Sequence, residues 1–308
     1  MKPLKIYDRR YIEKFLSIRP GETKLGEKVG FTSSLEELHK TPAKFVIFGI
    51  PEDIGVRANY GKPGTSGAWE AFLKAFLNVQ KNRFLNPEEI VLLGEIRVSE
   101  EMEKARNIDI FDPNYHQKLG DLVEKIDEKV TTVVKKIIEA GKLPIIVGGG
   151  HNNAFGNIRG TSEALKKPIN VLNIDAHTDL RQTNFRHSGN GFSYAFKNAF
   201  LKRYSVYGLH ENYTPDYIFE EMENSADQRF VLLEQLEKDR TLAFSKELDF
   251  VKQEKFGLEV DCDAIANFPS SAISPTGFSL EEVRHLVRQA ALEKNCAYLH
   301  VCEASEDG

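Results

Sequence analysis

Eight short apolar runs are the feature of this sequence that most restricts its fold, because most are rich in Val, Ile and Leu without polar alternation. Strands of that kind are covered on both faces, as in parallel sheets. The runs are 45–50, 90–93, 143–147, 170–174, 204–209, 230–233, 256–260 and 297–301. Amphipathic stretches separate many of them, most clearly 119–140, which is followed by Gly141. This alternation predicts an α/β protein with a parallel, doubly wound sheet of about eight strands.

The predicted strands lie within residues 43–308, and the sequence there contains no repeat, low-complexity tract or linker. We therefore interpret 43–308 as one domain, a size that a single large α/β sheet can reach. Residues 1–42 are predicted to be an N-terminal extension with short helices of its own.

The charge balance and the cysteine content limit which partners and which cellular location the chain is expected to have. The 46 acidic and 41 basic side chains give a net charge of -5 without a basic stripe, which argues against a nucleic-acid partner. The chain has no apolar run of membrane-spanning length and no signal-peptide pattern at its start. Its three cysteines form no CxxC pair, which favours a reducing, cytoplasmic location.

Potential metal ligands follow three of the predicted strands. A Gly-Gly-Gly turn after 143–147 leads to a histidine, and Asp-Ala-His-Thr-Asp and Asp-Cys-Asp follow or end two other runs. The period of two in extended chain places alternate residues on one side. The carboxyl ends of parallel strands border the ligand crevice of such sheets. The six candidate ligands are His151, Asp175, His177, Asp179, Asp261 and Asp263.

Four carboxylates and two imidazoles at one edge predict a pair of divalent ions. Clustered carboxylates disfavour one another's ionisation unless cations balance them. Asp and His ligands without thiolate suit Mn²⁺, with other first-row ions as alternatives. Two ions roughly 3.5–4 Å apart can lower the pKa of a shared water and yield hydroxide near neutral pH. Each segment alone could be a turn or a helix cap, but their combination predicts a metal-dependent hydrolase.

These ligand segments resemble the metal motifs of the ureohydrolases, the family of arginase, agmatinase and formimidoylglutamase. Residues 49–64 are similar to that family's Gly-x-Pro…Asp-x-Gly…Asn-x-Gly loop, and Ser188-Gly189-Asn190 matches its Ser-Gly-Asn. The resemblance extends from about residue 45 to residue 303. It implies an arginase-like three-layer α/β/α fold, two Mn²⁺ per chain held by the six candidate ligands, and a homo-oligomer, either trimer or hexamer.

The resemblance also implies roles for individual residues. Hydroxide would attack the central carbon of a guanidine or amidine, and Asp179 would orient it through a hydrogen bond. Glu303 falls where the family has the carboxylate that binds the cationic substrate group. Asp179 and Glu303 are therefore the expected catalytic residues, although Glu303 could also be a charged residue that ends an edge strand.

Two departures from arginase bear on the substrate. Phe192 occupies the place of arginase's proton-shuttling histidine, and His187 either compensates or is simply a loop histidine. Arg181 and Arg186 make the loop more like that of the formimidoylglutamase branch. Guanidinium groups bind carboxylates bidentately, so these arginines suit an acidic substrate unless they are merely solvated loop charges. Arg181, Arg186, Asn190 and Glu303 are the predicted substrate-binding residues.

The leading hypothesis is hydrolysis of N-formimidoyl-L-glutamate to L-glutamate and formamide, a step of histidine catabolism. The first alternative is agmatinase- or arginase-type hydrolysis of a guanidino compound with release of urea. A non-catalytic ureohydrolase-like protein is the second, and Phe192 is the residue that favours it. A fold-related deacetylase would need only one metal ion.

Overall fold

The computed structural model describes residues 3–236 and 240–306. Within these residues nine strands form one sheet. They are β1 (Leu4–Ile6), β2 (Phe45–Gly49), β3 (Ile90–Ile96), β4 (Leu143–Val147), β5 (Ile169–Ile174), β6 (Leu201–Leu209), β7 (Gln228–Leu232), β8 (Phe256–Asp261) and β9 (Cys296–Cys302).

The strands are connected mainly by α-helices. In the described ranges these are α1 (Arg9–Ile12), α2 (Ile54–Ala58), α3 (Ala68–Phe76), α4 (Ser99–Arg106), α5 (Tyr115–Glu139), α6 (Asn153–Leu165), α7 (Gly191–Lys197), α8 (Asp216–Glu223), α9 (Arg240–Val251) and α10 (Leu280–Ala291). Short 3-10 helices lie at Glu13–Phe15, Leu25–Glu27, Leu35–Lys40, Thr65–Gly67, Pro87–Glu89, Ser188–Asn190, Glu211–Tyr213, Leu233–Gln235 and Cys262–Ala264. Nothing in the described part of the chain is both long and apolar enough to be a membrane-spanning helix.

The strand order is β1-β3-β2-β4-β9-β8-β5-β6-β7, and every neighbouring pair is parallel except β1 with β3. The predicted doubly wound α/β fold is thus confirmed, and each of the eight predicted strands is present.

The ninth strand, β1, lies in the segment that we predicted to be an N-terminal extension with short helices of its own. It pairs antiparallel with β3, with Leu4 opposite Ile96. Three residues are too few for periodicity to reveal a strand.

Apolar cores cover both faces of the sheet. Val171 of β5 belongs to a core with α5 and α6, whereas the next residue, Leu172, belongs to a core with α9 and α10. Successive side chains of a strand point to opposite faces, so the two cores lie on opposite sides. The result is a helix–sheet–helix sandwich, and the strands are buried on both faces as their composition predicted.

The chain order places four particular strands side by side. The strands β4, β9, β8 and β5 are consecutive neighbours in the centre of the sheet, although β8 and β9 come last along the chain. Their insertion between β4 and β5 creates a switch in the direction of winding, where open α/β sheets bind ligands beyond the strand ends. All six candidate metal ligands and Glu303 lie at or just after the carboxyl ends of these strands.

Candidate metal centre and substrate cavity

The turn after β4 carries the first predicted ligand. Gly148 and Gly149 have φ angles of +91° and +74°, a left-handed conformation that glycine adopts without steric cost. The chain therefore leaves the sheet sharply and reaches His151 two residues later, just before α6. The His151 side chain is fully buried at the base of the site.

A buried carboxylate that sequence reasoning missed holds this turn in place. Glu52 Oε1 accepts hydrogen bonds from Gly150 N at 3.1 Å and from the side-chain amides of Asn152 at 3.1 Å and Asn153 at 2.6 Å. Its other oxygen accepts from Ile54 N at 2.7 Å. Burial raises the pKa of Glu52. Only its place between Pro51 and Asp53 of the family-like loop could have marked it, since its partners in the turn after β4 lie about a hundred residues away.

Three carboxylates surround one nitrogen of His151. Its Nδ1 lies 2.9 Å from Asp179 Oδ2, 3.0 Å from Asp261 Oδ2 and 3.2 Å from Asp175 Oδ2. One ligand atom from each of these four residues lies within 4.8 Å of the others. The buried ring nitrogens of His151 have no hydrogen-bond partner among the described residues. These four residues therefore form a donor set that suits one divalent ion.

A second group adjoins the first and shares a residue with it. His177 Nδ1 lies 3.6 Å from Asp175 Oδ1 and 3.7 Å from Asp263 Oδ2. Asp175 thus presents one oxygen to His151 and the other to His177. Asp175 is held by His177 N, which donates to Oδ1 at 2.7 Å, and by Asn173 Nδ2, which donates to Oδ2 at 2.8 Å. The structure brings all six predicted ligands together in two adjacent groups, a donor set that fits two ions.

The clustered carboxylates of the site favour the binding of cations. Burial, followed by repulsion from neighbouring carboxylates, raises the pKa of Asp261 well above its usual range. Burial also raises the pKa values of Asp179 and Asp263. Burial opposes protonation of His177, but its hydrogen bond to Asp175 and the surrounding carboxylates raise its pKa to about 9. Divalent ions bound here would balance the charge of these carboxylates.

Asp179 and Glu303, the two residues expected to be catalytic, both have a left-handed backbone conformation. Asp179 and Glu303 have φ angles of +49° and +60°. Left-handed conformations of residues other than glycine cost about 1–3 kcal/mol and occur often at functional sites. At both positions the conformation turns the chain sharply just beyond a central strand.

Glu303 lies at the wall of the cavity above the ligands. Its Oε1 accepts a 2.6 Å hydrogen bond from His151 N, and its buried Oε2 has no partner within the described ranges. Burial, and then repulsion from Asp263, raises the pKa of Glu303 to about 8. An unpaired carboxylate oxygen at this place is suited to a cationic group of a ligand.

The cavity over the ligands has a volume of about 180 Å³, which limits its occupant to a small molecule. Its wall includes His177, Asp179, Asp261, Asp263, Arg181 and Glu303. A neighbouring cavity of about 370 Å³ shares Asn59, Arg181 and Pro215 with it. The exposed side chain of Arg181 therefore lies where the inner cavity meets the outer one.

Arg186 and Asn190, both predicted to contact substrate, lie outside these cavities. The Arg186 side chain is 1% exposed, and its Nε donates to Asp127 Oδ2 at 2.8 Å. Its Nη1 donates to Asn190 Oδ1 at 2.6 Å and its Nη2 to the Asn152 carbonyl at 2.9 Å. Because these contacts occupy its guanidinium, Arg186 holds the loop to α5 instead of facing a ligand. Asn190, also fully buried, donates to the carbonyl of Phe185 at 2.8 Å.

We therefore expect Arg186→Gln to destabilise the fold. Removal of one partner from a buried ion pair typically costs about 3–5 kcal/mol, because the other charge remains buried and unpaired. Urea denaturation of the metal-free protein measures the free energy of unfolding directly. Arg284→Gln, on the exposed side of α10, is the control and should change it by less than about 0.5 kcal/mol. Equal stability of the two variants would contradict the structural role of Arg186.

Phe192 forms an apolar wall where arginase has its proton shuttle. Its ring meets that of His151 edge-on at 5.2 Å between centroids and that of Tyr204 at 4.5 Å. His187 lies beside the outer cavity, and its Nδ1 accepts a hydrogen bond from Gly189 N at 3.1 Å. Burial, and then the charges of Arg186 and Arg181, lower the pKa of His187 to about 3. His187 is thus uncharged at neutral pH, which fits the loop-histidine interpretation.

Sequence reasoning also missed an aromatic stack beside the ligands. Tyr213 lies between His177 and His210, with ring centroids 5.1 Å and 4.9 Å away and interplanar angles of 16° and 17°. Tyr213 also lines the inner cavity. The segment after β6 has no ligand-like spacing that could have indicated this arrangement.

Comparisons with known proteins agree with this architecture. The model of the arginase family matches residues 43–305. Formimidoylglutamases of Salmonella arizonae and Salmonella heidelberg are each 31% identical to the chain, over 152 and 150 residues. The matched stretches cover 49% and 48% of this chain but only 42% and 41% of those relatives. The chain thus spans less than half of their length in these matches.

Solved structures show the same fold. Bacillus subtilis formimidoylglutamase superposes with a TM-score of 0.75 at 17% identity, covering 95% of this chain and 88% of that one. Trypanosoma cruzi formiminoglutamase, whose structure was determined with two Mn²⁺ ions, superposes with a TM-score of 0.73 at 19% identity, covering 92% and 91%. At such identities the likeness concerns the fold alone. The family model spans most of the chain, however, and this protein therefore belongs to the arginase family.

Proposed function

We propose that this protein is a two-metal hydrolase that converts N-formimidoyl-L-glutamate to L-glutamate and formamide, a reaction of histidine catabolism. The observation that carries the proposal is the pair of ligand groups that share Asp175, at the base of a cavity that Glu303 and Arg181 also line. The partial match to formimidoylglutamases supports the choice of substrate.

Two Mn²⁺ ions would be held by residues that the structure brings together. His151, Asp179 and Asp261 would bind one ion, His177 and Asp263 the other, and Asp175 has an oxygen for each. When bound, such a pair supplies hydroxide as a nucleophile near neutral pH. The all-oxygen-and-nitrogen donor set suits Mn²⁺, which accompanies the Trypanosoma cruzi formiminoglutamase.

The surrounding residues have defined tasks in this reaction. Glu303 Oε2 accepts a hydrogen bond from the amidinium group and balances its charge. Asp179 accepts a hydrogen bond from the attacking oxygen and so aims it at the amidine carbon. After the oxygen has added, the bond from that carbon to the glutamate nitrogen breaks. The proton of the added oxygen passes by way of Asp179 to the departing nitrogen, which leaves formamide and the amine of L-glutamate. Phe192, packed on His151, keeps water from that side of the site.

Arg181 supports an acidic substrate. N-formimidoyl-L-glutamate carries two carboxylates, whereas arginine carries one and agmatine none. The Arg181 side chain lines both cavities, beyond the ligands and on the route to solvent. A substrate whose amidine meets Glu303 would extend its carboxylates towards this guanidinium, which binds them bidentately.

Arg181→Ala should therefore raise KM for N-formimidoyl-L-glutamate by about 10–100-fold, since hydrogen bonds to charged groups contribute about 1.5–3 kcal/mol. The value of kcat should change much less, because Arg181 lies away from the ligands. Steady-state kinetics on Mn²⁺-loaded protein separate the two constants, with Arg284→Ala as the surface control. An unchanged KM would remove Arg181 from the substrate-binding residues.

A panel of substrates tests the proposal itself. Mn²⁺-loaded protein is incubated with N-formimidoyl-L-glutamate, agmatine and arginine, while formamide, urea and bound metal are measured. We expect formamide from the first compound and no urea from the others. Release of urea without formamide would identify a guanidino hydrolase instead. No turnover of any compound at full metal occupancy would favour a non-catalytic protein. Phe192, which replaces the proton-shuttling histidine of arginase, is the residue that suggests this alternative.

We also propose a cytoplasmic location, which the three buried, free cysteines support because they are suited to a reducing compartment. The trimeric or hexameric assembly stays a prediction from family resemblance. Light scattering of the purified protein measures its mass and decides between these states and a monomer.

A further inference from the structure

A fully buried polar cluster lies behind His151, on the side away from the carboxylate ligands. It comprises Glu259 of β8 with Tyr298 and His300 of β9. Glu259 and His300 are direct partners in the register of these neighbouring strands. Gly257 makes room for the Tyr298 ring, because a Cβ there would lie 2.1 Å from Tyr298 Cζ. Both strands thus direct polar groups to one point beneath the candidate metal centre.

The cluster converges on the carboxylate of Glu259. Tyr298 donates its hydroxyl to Oε1 at 2.7 Å, and His300 Nδ1 donates to Oε2 at 2.5 Å. The same Oε2 lies 3.5 Å from His151 Nε2. On the opposite edge of that imidazole, Nδ1 faces Asp175, Asp179 and Asp261. His151 therefore lies between its proposed metal on one side and a fixed carboxylate on the other.

This cluster could itself be considered a metal site, because ligand atoms of His151, Glu259, His300 and Cys302 lie within 4.8 Å of one another. The distances favour hydrogen bonding instead. Ligands about 2.0–2.2 Å from a tetrahedral ion are about 3.4 Å apart, whereas His300 Nδ1 and Glu259 Oε2 are 2.5 Å apart. Tyr298 already occupies the other oxygen of Glu259.

We propose that Glu259, held by Tyr298 and His300, is a positioning residue: with a metal on Nδ1, His151 donates its Nε2 proton to Glu259 Oε2, which lies 3.5 Å away in this structure, and the Nδ1 lone pair is thereby directed to the metal. This inference rests on the proposed two-metal function. A histidine that binds a metal through one nitrogen commonly donates the other N–H to a carboxylate, which fixes its tautomer and orientation. Loss of such a partner typically weakens metal affinity 10–100-fold.

The test compares E259Q with Y298F, a control that removes one hydrogen bond from the same carboxylate but leaves Oε2 with His300 and His151. Calorimetric titration of metal-free protein with Mn²⁺ gives the dissociation constants, and Co²⁺ titration gives an absorption spectrum of the bound ion. For E259Q we expect about 10–100-fold weaker binding of one ion and a changed Co²⁺ spectrum. Y298F should bind both ions within about threefold of the original affinity, and thermal unfolding establishes that each variant is folded.

The outcomes separate the two proposals. Wild-type protein that binds no ion would overturn the two-metal function together with this inference. Two ions bound with equal affinity and spectrum by wild type and E259Q would overturn only the role of Glu259. A third tight Co²⁺ with a thiolate charge-transfer band would make the cluster a metal site of its own and also overturn that role.

Should E259Q fail to fold, the unaltered protein provides the test. Zn²⁺ is diamagnetic, so nitrogen NMR of histidine-labelled, Zn²⁺-loaded protein reports the tautomer of His151. We expect a slowly exchanging proton on Nε2 of His151 and none on Nδ1. A deprotonated Nε2 would overturn the inference.

Discussion

Asp179→Asn is expected to abolish turnover of N-formimidoyl-L-glutamate. Asp179 Oδ2 lies 2.9 Å from His151 Nδ1, and the residue lines the inner cavity. Asparagine has the same shape and tolerates the φ of +49°, so the substitution mainly removes the charge. Loss of proton acceptance alone should lower kcat by about 10²–10⁴-fold, and a weakened metal site would lower it further. The rate of formamide release measures the effect.

Two controls show what the substitution has changed. Asp121→Asn makes the same chemical change on the exposed face of α5 and should leave kcat as it was. Metal analysis of Asp179→Asn distinguishes a protein that has lost an ion from one that keeps both ions but cannot aim the nucleophile. A variant with wild-type kcat would refute the role of Asp179.

Removal of divalent ions is expected to abolish activity and to lower stability. With free Mn²⁺ at 100 times its dissociation constant, one bound ion stabilises the native state by about 2.7 kcal/mol. Treatment with a chelator should therefore lower the Tm by several degrees, and added Mn²⁺ should restore both Tm and turnover. Calorimetry and the formamide assay on the same sample measure the two effects. Full activity in a protein freed of all metal would contradict the proposed mechanism.

The stability lost on metal removal should depend on pH in a defined direction. Burial raises the pKa of Glu303 to about 8, and hydrogen bonding to Asp175 outweighs burial to raise that of His177 to about 9. The native state then holds protons that the unfolded chain releases, since unfolded glutamate and histidine titrate near 4.3 and 6.5. His187, with its lowered pKa, opposes this trend only below about pH 6.5. Stability of the metal-free protein should therefore fall as pH rises from about 6.5 to 9.

In the metal-loaded protein, stability should instead rise with pH. Ions displace protons from carboxylates and imidazoles and therefore bind more tightly at higher pH. The difference in Tm between Mn²⁺-loaded and metal-free protein should grow steadily when both are measured at pH 7, 8 and 9. If the Tm of the metal-free protein rose with pH over this range, the buried carboxylates would not be protonated as their surroundings require.

The strands and the grouping of the candidate metal ligands were predictable because their signals are local. A strand buried on both faces needs apolar residues at nearly every position, so β5 is visible within six residues of sequence. The ligands directly after it must alternate to share one side, which makes Asp175, His177 and Asp179 recognisable without knowledge of the partner strands. The three-residue strand β1 lacked such a signal, since its pairing with β3 spans about ninety residues.

The substrate contacts were less predictable because one loop carries two arginines with opposite surroundings. Arg181 reaches the cavities, whereas Arg186 turns to Asp127, 59 residues away on α5. Nothing within the loop distinguishes them. A buried guanidinium requires a compensating charge, and only the packing of α5 against the loop determines which arginine receives one.

By itself, then, the sequence determined the parallel α/β sheet, the set of candidate metal ligands and the expected chemistry, because periodicity and ligand type act over a few residues. Tertiary structure alone decided what surrounds those ligands. The insertion of β8 and β9 between β4 and β5 places Glu259 and His300 behind His151, and Phe192 packs on the same imidazole. These contacts join residues far apart in the chain, and their distances depend on the packing of the whole sheet.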